Sequence, residues 1–184
     1  AARTDLHERR SLSGYEANMQ GVANMVECIS RRPAVMRSIF ASTKLVCPTD
    51  CSPESDDHYC PTTLYGESKV IGEKIVKDSS LLSSDWCIVR PTSIWGPWSN
   101  SIHIPYCRFF RMIAKGRYFH PGRESPSRSF GYVGNTVFQI KKLLQAPSAR
   151  VHRRVFYLSD YEPFTIREWA DIISTRVRKR SVRT

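Results

Sequence analysis

Tyr65 and Lys69 have side chains and a spacing suited to acid–base chemistry. On a helix, residues four apart share one face. A nearby ammonium group favours a phenolate, so this spacing predicts that the pKa of Tyr65 lies below its reference value near 10. A phenol tuned in this way can exchange a proton with a substrate hydroxyl near neutral pH. Lys69 would keep further donors for a second hydroxyl.

The spacing alone is not specific, because eight tyrosines and eight lysines in 184 residues give about 0.35 such pairs by chance. The two residues also fit an ordinary pair on a helix surface. Their setting favours chemistry, since Thr43 follows one short apolar segment and polar residues follow the next, from Arg90 onward. Ligands of open α/β sheets bind where parallel strands end. Thr43 is therefore expected to bond the same substrate oxygen as Tyr65.

Apolar periodicity predicts the elements that position these residues. Helices alternate with apolar strands that lack a polar face, which indicates an α/β domain with a parallel sheet. From residue 98 onward the strands become sparse and the loops lengthen, which predicts a second, smaller lobe. Helices are predicted over residues 10–30, 62–82, 105–115 and 133–145 and from Thr165 with a capping box at Glu168, and strands over residues 35–41, 86–89 and 154–158.

Composition and charge restrict the classes of protein. The chain has 41% hydrophobic and 24% charged residues, as globular domains do. Its apolar runs are far shorter than the roughly 20 residues of a membrane helix, and no signal peptide is visible. The sequence therefore predicts a cytoplasmic protein with no membrane partner. The net charge of +11 favours phosphorylated ligands, and the basic run at 176–183 is typical of a solvated tail.

The net charge and the cysteines raise two further possibilities, a nucleic-acid-binding domain and a metal site. A basic nucleic-acid-binding domain is an alternative, but no zinc-finger, RNA-binding or basic-zipper motif is present, so no nucleic-acid partner is predicted. Cys47, Cys51, His58 and Cys60 cluster in the sequence. They lack the paired C-x-x-C spacing of common structural zinc sites, and no metal site is predicted.

Taken in order, short segments of this chain resemble the extended short-chain dehydrogenase/reductase superfamily, in its NAD-dependent epimerase/dehydratase branch. The resemblance extends over nearly the whole chain, which makes it far more specific than any one motif. The segments that carry it are Ala1–Arg3 at the end of a strand, Tyr15–Gly21 (Y-x-x-N-x-x-G), Phe40–Thr43, Tyr65–Lys69 with Gly72 and Glu73 (YGxSK-x-x-GE), Arg90–Pro97 (RPxxxYGP), Arg128–Val133, Tyr157 with Leu158, and Thr165–Glu168.

This resemblance implies an α/β fold with a partial Rossmann-like, doubly wound parallel sheet and part of a smaller substrate-binding lobe. Residues 1–97 would form the C-terminal part of a dinucleotide-binding domain. Residues 98–184 would form the partial substrate-binding lobe, with the strand at 154–158 returning to the sheet. The resemblance also implies a homodimer through the helix that carries Tyr65 and Lys69.

The resemblance also implies a role for individual residues. Tyr65 would be the acid or base, Lys69 would tune its pKa and bind the ribose of NAD or NADP, and Thr43 would orient the hydroxyl of a nucleotide-sugar substrate. For Asn18 a purely structural bridge is the alternative, and for Arg128 a solvated charge. Further contacts are implied for Ala1, Ala2, Asn18 and Pro91 with the cofactor and for Ser93 and Arg128 with the substrate.

Two departures from the family pattern refine the expected activity. Lys44 and Leu45 follow Thr43 where sugar dehydratases carry Asp-Glu, which leaves an epimerase or a reductase. The 184 residues contain no glycine-rich G-x-G-x-x-G or G-x-x-G-x-x-G loop for a pyrophosphate. We therefore expect the middle of an enzyme of roughly 300 residues, with the loop encoded within about 70 codons upstream of Ala1. The isolated chain would then be inactive, and a catalytically inactive, truncated remnant is the alternative.

Overall fold

A computed structural model of the chain describes residues 2–47, 53–97, 105–120, 127–160 and 162–182. Short 3-10 turns at Leu12–Tyr15 and Lys44–Val46 accompany the regular elements. Within these ranges the helices are α1 (Glu16–Ser30), α2 (Leu64–Lys77), α3 (Pro105–Ala114), α4 (Val133–Gln145), α5 (Ser148–Val151) and α6 (Ile166–Arg178), and the strands are β1 (Arg37–Ala41), β2 (Asp85–Pro91), β3 (Ser93–Trp95), β4 (Ser127–Arg128), β5 (Phe130–Tyr132), β6 (Arg154–Leu158) and β7 (Phe164–Thr165).

These elements confirm the predicted α/β class and its parallel sheet. The helix predicted over residues 62–82 is shorter, because α2 begins after its N-cap Thr63 and ends at Lys77. Thr63 accepts a hydrogen bond from the backbone N–H of Gly66, which satisfies one of the free donors of the first turn. The capping box at Thr165 and Glu168 is confirmed.

The beginning of the chain differs from the expected end of a strand. Ala1 lies outside the described residues, and Ala2 and Arg3 belong to no strand among those that the structure describes. The backbone N–H and carbonyl of Arg3 instead bond to the side chain of Asn18. A side chain therefore satisfies backbone groups that a strand neighbour would otherwise pair.

The chain divides into two compact units, and the first consists of residues 1–92 with 138–158. In it β2 lies between β1 and β6, and all three strands are parallel. β2 is buried from Trp86 to Arg90, as expected for a central strand. Ala41 pairs with Val89 across β1 and β2, so the carboxyl ends of these strands lie at one edge of the sheet. Residues placed after both strands are therefore neighbours.

Helices α1 and α2 pack together over this sheet. Val26 of α1 and Val76 of α2 form a hydrophobic cluster with Trp86 and Ile88 of β2. Gly72 faces α1, and a Cβ at that position would lie 3.2 Å from the carbonyl oxygen of Asn18. The missing side chain therefore permits the close approach of the two helices.

The second unit consists of residues 93–137 with 159–184. β3 pairs with β5 in parallel, and β4 pairs with β7 in the antiparallel sense. Trp169 of α6 is the centre of an aromatic cluster, with the ring of Phe130 at 4.4 Å. Helices α3 and α6 contact each other. Aromatic packing therefore supplies much of the core of this unit.

A side chain at Gly72 is expected to separate α1 from α2. Replacing Gly72 by valine should lower the free energy of unfolding by about 1–3 kcal/mol, because the helix backbone cannot yield to the added methyl groups. Urea denaturation monitored by circular dichroism measures this free energy of unfolding. The matched control is Gly21→Ala, because among the described residues a Cβ on Gly21 meets nothing within 4 Å. It should stabilise α1 by about 0.5–1 kcal/mol. Equal effects of the two changes would contradict the packing argument.

Candidate active site

Thr43 and Tyr65 meet where β1 ends and α2 begins. Thr43 caps the turn after β1, and its hydroxyl accepts the N–H of Leu45 at 3.3 Å. The same side chain lies close enough to Tyr65, in the first turn of α2, to act on the pKa of its phenol. Gly66 permits this approach, since a Cβ there would lie 2.5 Å from the carbonyl oxygen of Leu45. The structure therefore brings two of the three predicted catalytic side chains into contact.

The pKa of Tyr65 is raised above its ordinary value, whereas the sequence predicted a lowered one. Burial raises it, and the hydrogen bond with Thr43 lowers it by less. The ammonium of Lys69 donates to the carbonyl oxygen of Ala41 at 3.0 Å. The prediction that this cation lowers the pKa of Tyr65 is therefore wrong for the chain as the structure describes it.

Lys69 is itself buried and lies at a small, mostly apolar cavity at the end of β1. Burial lowers the pKa of Lys69, and the negative charge of Glu73 raises it by less. Lys69, Ser42 and Glu73 line a cavity of about 20 Å³ between α2 and the sheet. A cavity of that size with several polar groups has room for one water molecule.

Glu73 and Arg90 form a buried ion pair beside this cavity. Glu73 is 2% exposed and Arg90 is fully buried. Nε and Nη2 of Arg90 donate to the two carboxylate oxygens at 2.9 and 2.7 Å. The hydroxyls of Ser42 and Tyr59 donate to the same carboxylate, and Nη1 of Arg90 donates to the hydroxyl of Tyr157 at 2.9 Å. Through these bonds the pair joins α2 to β2, to β6 and to the residue that follows β1.

The electrostatics of this network follow from its burial. Burial by itself lowers the pKa of Arg90, but the hydrogen bonds and charge of Glu73 outweigh it, and the net pKa is raised. Burial raises the pKa of Tyr157 to about 12. Glu73 and Arg90 both stand in segments that resemble the family's motifs, but the sequence alone predicted no role for either. The sequence contained a signal for both, because Glu73 and Arg90 are charged residues that each lie within an apolar segment.

Asn18 connects the start of the chain to α2. Its side-chain oxygen Oδ1 accepts a hydrogen bond from the backbone N–H of Arg3 at 2.8 Å. Its amide group donates to the carbonyl of Arg3 and to the hydroxyl of Ser68, both at 2.9 Å. Ser68 in turn donates to the carbonyl of Tyr65 at 2.7 Å. This geometry corresponds to the structural bridge that the sequence left open for Asn18.

The other predicted binding residues lie in both units. Ala2 is exposed, and Pro91 is the half-buried last residue of β2 in the first unit. Ser93 begins β3 and Arg128 ends β4 in the second unit. Arg128 is exposed and pairs in register with Phe164. The structure thus brings together Thr43, Tyr65, Lys69 and Asn18 in the first unit.

Two further predictions concern metals and membranes. Among the described residues no three His, Cys, Asp or Glu side chains are arranged to hold a metal ion. Cys47 donates to the carbonyl of His58 at 2.9 Å, and Cys51 lies outside the described residues. Within the same part of the chain, the helices are too short or too polar to cross a membrane.

A polar site at the carboxyl edge of a parallel sheet defines a class of α/β nucleotide-binding folds. The sequence profile of the NAD dependent epimerase/dehydratase family matches residues 2–159. The chain belongs to this family, which confirms the resemblance drawn from the motifs. It spans less than half the length of the curated relatives that it matches, 46% of one and 41% of another.

Three comparisons illustrate the likeness. An Escherichia coli O157:H7 protein, N-acetyl-alpha-D-glucosaminyl-diphospho-ditrans,octacis-undecaprenol 4-epimerase, is 27% identical over 139 residues, which are 73% of this chain and 41% of that protein. UDP-glucuronic acid 4-epimerase from Bacillus cereus, in complex with UDP-glucuronic acid and NAD, superposes with a TM-score of 0.76 at 16% identity over 97% of this chain and 57% of that one. dTDP-4-dehydrorhamnose reductase from Bacillus anthracis, in complex with NADP, superposes with a TM-score of 0.77 at 22% identity over 100% of this chain and 62% of that one. The structural likeness confirms the Rossmann-like fold.

Removing one partner of the buried ion pair is expected to be costly. Arg90→Leu leaves the Glu73 carboxylate buried without its cation, and the free energy of unfolding should fall by about 3–5 kcal/mol. The double variant Glu73→Met with Arg90→Leu removes both charges and should recover part of this loss. Urea denaturation of the two proteins measures both values. A double variant no more stable than Arg90→Leu would show that the loss is not one of charge pairing.

The pKa of Tyr65 can be measured directly. The NMR shift of its labelled ζ-carbon should report a neutral phenol up to about pH 10, because burial opposes the phenolate. Thr43→Val removes the hydrogen bond and should raise the pKa further, whereas Thr43→Ser keeps the hydroxyl and should leave it unchanged.

Since the folded pKa lies above the unfolded one, the contribution of Tyr65 to stability is complete below about pH 10 and falls as the pH rises further. Titration of Tyr65 near neutral pH would contradict this assignment.

Proposed function

We propose that this chain carries the catalytic part of an NAD(P)-dependent epimerase or reductase that acts on a nucleotide sugar. The observation that carries the proposal is the contact between Thr43 and Tyr65 at the carboxyl edge of the sheet, with Lys69 one helical turn further along α2. Membership of the NAD dependent epimerase/dehydratase family supports it. So do structural neighbours that are complexes with NAD or NADP.

In this proposal Tyr65 moves the proton and Thr43 holds the reacting oxygen. A phenol with a raised pKa is neutral at pH 7, so Tyr65 is prepared to donate its proton to a keto oxygen. Lys69 lies on the same helix and would bind the ribose of the cofactor, because it keeps two ammonium protons beyond the one donated to Ala41.

NAD or NADP, when bound, supplies the acceptor and donor of hydride. The residues present fit its nicotinamide end, because hydroxyl and ammonium donors gather where two adjacent parallel strands finish. Tyr65, Lys69 and Pro91 would hold that end, and Asn18 would support it through Ser68. Ala1 and Ala2 are proposed as further cofactor contacts. The 184 residues contain no glycine-rich loop, so none of them is assigned to the pyrophosphate.

The proposed substrate class is a sugar that carries a diphosphate. One relative is named for a sugar-diphospho-undecaprenol and one structural neighbour for a UDP-sugar, and a diphosphate is common to both. Arg128 would pair with the diphosphate and Ser93 with the sugar. Residues 1–97 would serve the cofactor and residues 98–184 the substrate. Two copies of the chain are proposed to associate through α2.

The acid–base role is tested by replacing Tyr65 with phenylalanine in the longest open reading frame that contains this chain. Turnover should fall by about 10²–10⁴-fold, the usual contribution of a positioned proton donor. Binding of NAD(P), measured by calorimetry, should stay within a few-fold of the parent value. Tyr118→Phe is the matched control and should keep full activity, because Tyr118 bonds to His120 in the second unit.

The outcomes separate the alternatives. A Tyr65→Phe enzyme whose turnover stays within about twofold of the parent would remove Tyr65 from the acid–base role. Net oxidation of the reduced cofactor during turnover identifies a reductase, whereas interconversion of two sugars without net oxidation identifies an epimerase. A parent protein that melts cooperatively but converts none of the sugar diphosphates would favour the inactive remnant.

A further inference from the structure

Basic side chains of the second unit line one open groove along α3. We name it the basic groove; it encloses about 350 Å³ and Met112 forms the apolar part of its wall. Three of its cations are spaced i, i+3 and i+7, so they share one face of the helix. All four cationic side chains are exposed. They are Arg108, Arg111, Lys115 and Arg117.

A fifth cation extends this surface from a neighbouring helix. The guanidinium of Arg178, at the end of α6, lies against Gly116 and fills the space that a Cβ would occupy there. Gly116 stands between Lys115 and Arg117 in the chain. The tertiary structure therefore joins residues about sixty positions apart into one basic surface.

These cations have no acidic partners in the part of the chain that the structure describes. None of its ion pairs involves a side chain of the basic groove. Of the acidic groups in the same unit, Asp160 bonds to Asn135 and Tyr132, and Asp171 accepts the N–H of Val182 and forms no ion pair with a cation of the basic groove among the described residues. Uncompensated like charges repel each other, and an anionic partner relieves that repulsion.

Exposed apolar side chains beside these cations indicate the kind of partner. Phe119 is 59% exposed and follows Arg117 by two residues. Val177, between Arg176 and Arg178 on α6, is 60% exposed. Basic side chains with exposed large apolar neighbours in the chain are found in proteins that lie on lipid, where cations meet headgroups and apolar groups enter the interface.

We propose that the basic groove docks this protein on an anionic phospholipid surface, with the lipid phosphates bound between its arginines. The choice of lipid follows from the exposed apolar side chains that accompany these cations along the chain, and it does not depend on the proposed function. The sequence predicted no membrane partner because its apolar runs are too short for a membrane helix, a criterion that does not test for binding at a lipid surface.

The test is co-sedimentation of the 184-residue chain with vesicles of phosphatidylcholine alone or mixed with phosphatidylglycerol. The chain should bind the anionic vesicles in preference to the neutral ones, and the binding should weaken as salt is added. The triple variant Arg108→Gln, Arg111→Gln, Lys115→Gln should bind about a hundredfold more weakly, at about fivefold for each cation. The triple variant Arg108→Lys, Arg111→Lys, Lys115→Arg keeps the three charges and should retain binding.

The matched control carries the same loss of charge on the first unit. Arg9→Gln, Arg10→Gln, Arg32→Gln alters exposed arginines and should lower binding far less than the variant of the basic groove. Equal losses in the two triple variants would overturn the proposal, as would equal binding to neutral and anionic vesicles. Binding of duplex DNA or inorganic phosphate that is lost in the triple variant, together with no binding of the parent chain to anionic vesicles, would also overturn it and would assign the groove to that anion. Vesicle binding needs no turnover, so its failure is distinct from failure of the proposed enzyme activity.

Discussion

The buried ion pair between Glu73 and Arg90 ties helix α2 to the central strand of the sheet. Removing two charges from water costs several kcal/mol for each ion, roughly, unless their geometry and hydrogen bonds compensate. Here the carboxylate receives two bonds from Arg90 and further ones from Ser42 and Tyr59. Such a pair is stable in one arrangement only. The axial position of α2, and with it that of every side chain on the helix, depends on this arrangement.

The geometry of the candidate site follows from the position of α2. Lys69 and Tyr65 lie one and two turns before Glu73 on the same helix, so an ion pair that holds Glu73 also holds them at the end of β1. Two glycines make the approach feasible, Gly66 against the turn after Thr43 and Gly72 against α1. The hydrogen bonds of Asn18 to Ser68 and Arg3 support the helix from its other side. The site is therefore placed by rigid elements rather than by a loop.

Burial also sets the protonation of the site. It raises the pKa of Tyr65 and lowers that of Lys69, so in both cases it favours the neutral form. Glu73 opposes this effect at Lys69, but its charge is shared with Arg90. A desolvated phenol of this kind stays protonated at neutral pH. The second unit distributes its charge differently, since its cations lie at the surface of α3 and the end of α6 with exposed apolar neighbours.

The sequence by itself determined those features that depend on local order along the chain. Apolar periodicity located the longer helices and the three strands of the parallel sheet, Thr165 was recognisable as a cap, and the order of the strands predicted that Thr43 and Tyr65 would be neighbours. Only the tertiary structure decided the direction of the Lys69 ammonium, the raised pKa of Tyr65, the pairing of Glu73 with Arg90 and the joining of Arg178 to the basic groove. Each of these depends on burial or on contacts across elements. Spacing along a chain does not specify desolvation or which distant group a charge will meet, and those two quantities control the chemistry here.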